Sequence, residues 1–160
     1  MRILFSGGGT AGSVTPLLAL AEQLQEHDLY FVGTKRGVER KLVTGMTYIP
    51  LLAGKWRRYF SVRNVLDLFV IVGAFFQAWF YVLKYAPDVV VSAGGFVSVP
   101  VVWAAWWCNI PTLVHHQDVQ MSLATRLMKP FASVVTTARE IGNPVRSLTV
   151  TTNDFKLDST

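Results

Sequence analysis

Three short runs of residues have the types and spacing to do chemistry. The first is Gly7-Gly8-Gly9-Thr10-Ala11-Gly12-Ser13, between an apolar run at Arg2–Ser6 and a leucine-rich segment that opens with Pro16. Glycines allow a tight turn and close backbone approach, and N–H groups at a helix start favour an anion such as phosphate. Gly7, Gly9 and Gly12 have the spacing of a dinucleotide loop, but Val32-Gly33-Thr34 stands where such a site places an acidic residue, and Asp28 comes too early. Ser13 stands where a nucleotide-hydrolysing loop needs lysine. A turn made only for close packing accounts for the same glycines.

The second run, Ser92-Ala93-Gly94-Gly95-Phe96-Val97-Ser98-Val99-Pro100, is again a glycine turn between a strand-like and a helix-like segment. Ligands bind at the carboxyl edge of open parallel sheets, so two such loops there form a two-sided cradle suited to a diphosphate. The third run is His115-His116-Gln117-Asp118. A histidine beside a carboxylate suits acid–base work or a hydrogen bond to a sugar, which makes His115, His116 and Asp118 the candidate catalytic residues. One packed and one solvated histidine is the plain alternative. Adjacent histidines on a strand point opposite ways and no further ligand cluster is visible, which argues against a metal.

Alternating elements must position these runs. Strands are expected at Arg2–Ser6, Leu29–Val32, Tyr48–Leu52, Asp88–Ser92, Thr112–His115 and Ser133–Thr137. Helices are expected from Pro16 to about Gln25, around Arg36–Val43, and at Val99–Cys108 and Ser122–Met128. Strand alternating with helix implies an α/β fold, a Rossmann-like doubly wound parallel sheet. From Ile141 the character changes: Ile141–Arg146 reads as a linker, and the polar tail to Thr160 lacks periodicity.

The stretch Val65–Leu83 is broken only by Asp67, Gly73 and Gln77 among the apolar residues, close to the ~20 residues that span a bilayer. It reads as a transmembrane helix, a buried crossover, or a crossover with one face on a membrane surface. Strands on both sides of it belong to one sheet, and Asp67 and Gln77 weaken a span, which favours the third reading.

Composition agrees. The chain has 160 residues, enough for one domain with a real core; 51% are hydrophobic and 16% charged, which excludes a disordered or nucleic-acid-tail character. A mean hydropathy of +0.36 is high for a domain with no membrane or partner contact. The net charge is +5, and Lys55, Arg57, Arg58 and Arg63 crowd together just before the apolar stretch, as suits anionic headgroups or phosphates. No nucleic-acid motif is present. Cys108 is the lone cysteine and Met1–Ser6 lacks a signal peptide's apolar core, so a cytoplasmic start is expected.

Together these runs resemble the MurG family of GT-B glycosyltransferases, which makes lipid II from lipid I. The first loop is similar to its GGTGGH signature, Ser92–Pro100 to its second glycine loop, His115–Asp118 to its HEQN motif, and Gly142–Arg146 to its GNPVR linker. The resemblance implies transfer of GlcNAc from UDP-GlcNAc to MurNAc-(pentapeptide)-diphosphoryl-undecaprenol, without a cofactor, at the cytoplasmic face of the bacterial inner membrane. Residues 1–141 would be the acceptor and membrane-side domain, and residues 142–160 the linker and start of a donor-binding domain. Thr10, Ala11, Gly12 and Ser13 would approach donor or acceptor, Gly94 and Gly95 would cradle the acceptor diphosphate, and Asp118 and Arg146 would help bind donor. Lys55, Arg57, Arg58, Arg63, Phe69, Phe76 and Trp79 fall in the family's membrane patch. This sequence departs in having Ser13 for the loop histidine and Asp118 for the asparagine of HEQN. A non-catalytic, membrane-anchoring subunit of a split glycosyltransferase and a nucleotide-binding α/β domain are the alternatives.

Overall fold

The computed structural model of the chain describes residues 1–52, 62–117, 122–137 and 149–152, with side chains for all but 62–69 and 149–152. Among them, β1 (Arg2–Ser6) leads to α1 (Thr15–Gln23), β2 (Asp28–Thr34), a short α2 (Glu39–Leu42) and β3 (Thr47–Leu51). Then follow α3 (Val62–Tyr85), β4 (Val89–Ser92), α4 (Ser98–Trp107), β5 (Thr112–His116), α5 (Leu123–Met128), a 3₁₀ turn at Lys129–Phe131, and β6 (Val134–Thr137). A last strand, β7 (Thr149–Thr152), closes the sheet, whose order is β3-β2-β1-β4-β5-β6-β7.

Every pairing from β1 to β6 is parallel, so the doubly wound α/β expectation holds there. β7 runs antiparallel to β6, with Val135 opposite Thr151. The tail was expected to carry no element. Its Thr-Val-Thr-Thr run is wholly β-branched, which favours a strand, but with one apolar residue it shows no alternation to read.

Strand alternation divides the core into two faces. Ile3, Phe5, Phe31 and Val91 turn one way and pack on Leu17 and Ala21 of α1. Leu4, Val32, Ile49 and Val90 turn the other way, under α3 and α4, and Val114 and Val135 continue that face under α4 and α5. Leu4 and Phe5 are both fully buried, which is why β1 reads as an unbroken apolar run.

The long apolar stretch is a crossover helix, and no helix among the described residues is long and apolar enough to cross a membrane. Ala74, Ala78 and Val82 recur every fourth residue and are buried, so small side chains let α3 lie close on its neighbours. Phe76, Phe80 and Leu83 are exposed. Gln77, the polar interruption, ties α3 to the end of β3: its Oε1 accepts from Leu52 N at 3.0 Å, and its Nε2 donates to Tyr81 Oη at 2.9 Å. The helix stops at Tyr85, where Ala86 takes a left-handed φ of 42° and Pro87 follows.

Candidate functional site

The strand order reverses between β1 and β4, and the two glycine loops leave those neighbouring strands at the same edge. They touch through backbone. A Cβ on Gly95 would collide with the carbonyl oxygen of Gly8, and Gly95 has a φ of +89°, so this position takes glycine on two independent grounds. Gly94, at φ +97°, is strapped by buried serines: its N–H donates to Ser92 Oγ at 3.2 Å and its carbonyl accepts from Ser98 Oγ at 2.9 Å. Ser6 Oγ donates to Ser98 Oγ at 3.1 Å, tying the end of β1 to the start of α4.

In the first loop, the Ser13 hydroxyl lies 3.0 Å from the Thr10 carbonyl and 3.2 Å from that of Gly8, so its one proton braces the loop. Thr10, Ala11 and Gly12 form the exposed rim. Behind Gly8 lies the fully buried carboxylate of Glu39, where a Cβ on Gly8, Gly33 or Gly37 would meet it. Glu39 Oε1 accepts from Thr34 N at 2.8 Å, and Glu39 Oε2 is buried without a partner among the described residues. Burial and this carboxylate push the Tyr48 hydroxyl up to about 12, against a smaller opposing effect of Arg40. Tyr48 therefore keeps its proton and donates it to the Thr34 carbonyl at 2.6 Å.

The two histidines diverge as strand geometry requires. His116 is 5% exposed and lines the cleft between the loops. Its Nδ1 lies 3.3 Å from Thr125 Oγ1, which lies 2.9 Å from Ser122 Oγ, the cap of α5. His116 Nε2 is buried without a partner among the described residues. His115 does not line the cleft; its Nδ1 pairs with Thr136 Oγ1 at 2.9 Å. Burial, and next the neighbouring His116, hold the His115 pKa below its ordinary 6.5.

The cleft has a volume of about 350 Å³. Thr10, Gly12, Ser13, Gly94, Gly95 and His116 are all in its walls, so six of the ten catalytic and substrate-binding candidates converge. Lys55, Arg57, Arg58, Asp118 and Arg146 lie outside the described residues, as do the side chains of Arg63 and Phe69. Phe76 is exposed and Trp79 half-buried on α3. Sequence reasoning missed Glu39, Phe96 and Thr125. Thr125 was signalled by the Ser-x-x-Thr capping pattern at Ser122, but Glu39 looked like a surface glutamate and Phe96 like one more apolar residue.

Residues 3–137 match the Glycosyltransferase family 28 N-terminal domain. This chain belongs to that family. The family 28 domain is 43% identical over 138 residues to the UDP-N-acetylglucosamine--N-acetylmuramyl-(pentapeptide) pyrophosphoryl-undecaprenol N-acetylglucosamine transferase of Clostridium kluyveri, covering 84% of this chain and 39% of that protein. A second enzyme of that name, numbered 2, from Bacillus cereus is 40% identical with the same coverage. The crystal structure of Acinetobacter baumannii MurG matches with a TM-score of 0.76 and 27% identity, over 90% of this chain and 43% of that one. The UDP-GlcNAc 2-epimerase of Neisseria meningitidis, at 13% identity and a TM-score of 0.62 over 88% of this chain and 41% of that one, shares the fold alone. The MurG resemblance drawn from four motifs is therefore borne out. The family 28 domain spans about two-fifths of the length of these relatives.

Proposed function

We propose that this chain supplies the acceptor half of GlcNAc transfer from UDP-GlcNAc to MurNAc-(pentapeptide)-diphosphoryl-undecaprenol. The observation that carries this reading is the cleft made where Gly8 and Gly95 meet, with buried His116 in its wall and His116 Nε2 unpartnered among the described residues. The cleft sits at the starts of α1 and α4, where backbone N–H groups favour an anion, and it fits the acceptor diphosphate. Residues 1–141 act as the acceptor domain, whose sheet Thr149–Thr152 extends, and a donor-binding part would lie in the further length that the relatives have. Asp118 and Arg146 are the donor-side candidates.

His116 is the base in this reading. With Nδ1–H donating a hydrogen bond to Thr125 Oγ1, Nε2 is left as the lone-pair nitrogen, and it takes the proton of the acceptor C4 hydroxyl. The hydroxyl oxygen bonds to the anomeric carbon of GlcNAc on the face opposite UDP, the bond to UDP breaks, and the configuration inverts. Ser13 braces the loop, and His115, turned away, has no part in the proton transfer. The exposed apolar side chains of α3, with the basic cluster Lys55–Arg63, lie on an anionic membrane surface at the cytoplasmic face.

Equilibrium binding of a water-soluble, short-chain analogue of the lipid-linked acceptor tests the assignment. Binding that inorganic diphosphate competes away supports it. Binding of NAD, with no affinity for the analogue, overturns it in favour of a nucleotide-binding domain.

A further inference from the structure

A second concavity adjoins the cleft. It has a volume of about 630 Å³ and is walled by Phe75 and Phe76 of α3, Trp103 and Trp107 of α4, and Leu123 and Leu127 of α5. Its lining is almost wholly apolar, and of the three indole N–H groups around it that of Trp103 is already used: Trp103 Nε1 donates to the Leu127 carbonyl at 3.0 Å. The volume falls in the range of small-molecule pockets. Trp107 is 65% exposed and Phe76 56% exposed, so the groove opens to the surface at the end away from the cleft. Trp103 and Trp106 pack edge-on against Phe131, with ring centroids 5.7 and 5.1 Å away, so two of the tryptophans are held in place.

Phe96 decides the occupant. It directly follows Gly95 and lines both the diphosphate cleft and this groove, so the two cavities share a wall. From that point Val99, Pro100, Trp103, Trp106 and Trp107 continue along one face of α4, a run of about 12 Å at 1.5 Å per residue. An acceptor whose diphosphate sits between the glycine loops carries an ester-linked hydrocarbon chain, and the nearest dry surface to receive it starts at Phe96.

We propose that the groove between α3, α4 and α5 holds the first isoprene units of the acceptor's polyprenyl chain. This rests on the reading of the glycine cleft as the acceptor diphosphate site. It goes beyond membrane docking, because it makes the lipid a ligand of the protein rather than only its anchor. The diphosphate fixes the head, Phe96 turns the chain into the groove, and the remaining isoprenes leave past Trp107 toward the bilayer.

The test is calorimetric titration of the chain, in buffer without lipid, with dimethylallyl, geranyl and farnesyl diphosphate below their micellar concentrations. Affinity should rise about tenfold per added isoprene unit while the groove fills. Replacing two exposed wall residues together, Trp107→Ser and Leu127→Ser, should flatten that dependence while the melting temperature and the affinity for inorganic diphosphate stay unchanged. Equal affinity for all three diphosphates, or a length dependence that survives the double substitution, overturns the proposal. Anionic phosphatidylglycerol vesicles, at matched free ligand, separate the sources of hydrocarbon. Length dependence that persists with vesicles supports a prenyl occupant, and its loss means bilayer lipid fills the groove, which also overturns the proposal. Farnesol distinguishes the two readings: binding as tight as that of farnesyl diphosphate removes the cleft assignment and leaves the groove standing.

Discussion

At Gly95 the smallest possible change carries a large penalty. A methyl group there meets the Gly8 carbonyl, and the φ of +89° strains any other residue, so neither loop can relax without moving the other. Gly95→Ala should lower stability by about 1–3 kcal/mol in urea unfolding and remove affinity for the acceptor analogue, whereas Gly45→Ala, with open space around it, pays only the backbone strain. As the proposed base, His116 would separate binding from chemistry. With a donor-binding domain supplied, His116→Gln should reduce transfer by roughly 10²–10⁴-fold and leave analogue affinity within a few-fold, and unchanged transfer would remove His116 as the base. His115 acts on stability instead. Its pKa is depressed in the fold, so the unfolded chain binds the extra proton first. Its contribution is complete above the ordinary 6.5 and is lost as pH falls through the lower folded value. Urea midpoints should therefore fall as pH drops from 6.5 through that value and level off below it, and His115→Gln should flatten that decline.

At the scale of elements, α3 presents two opposed faces. Ala78 is 1% exposed against the sheet side, and Ala78→Leu should destabilise by about 1–3 kcal/mol through overpacking. Phe80 is 60% exposed, so Phe80→Ser should leave the melting temperature alone and weaken co-sedimentation with anionic vesicles. Unchanged vesicle binding would count against α3 as the membrane face. The strands, the crossover and both glycine loops were legible in the sequence because each is written locally, in apolar runs closed by glycine or proline. Three features were not. β7 exists through pairing with β6, and its threonines carry no alternation. Glu39 looks like a surface glutamate in Val-Glu-Arg-Lys until the fold places Gly8 and Gly33 beside it. The division of labour between His115 and His116 depends on which face of β5 is covered by α5, and that follows from the handedness of the crossovers rather than from either residue.

For the whole molecule, the strand-order reversal sets where everything meets. The helices α3, α4 and α5 share one face of the sheet and α1 takes the other, so the cleft opens between the start of a helix on each side. The Gly8–Gly95 meeting also has a kinetic consequence. The two residues are distant in the chain, and they come together only when β1 and β4 pair at the centre of the sheet, after the long excursion through β2, β3 and α3. No local fragment contains the cleft, so ligand affinity is a property of the fully closed sheet. A bound diphosphate then slows amide exchange most at the central strands, which open only with the whole domain.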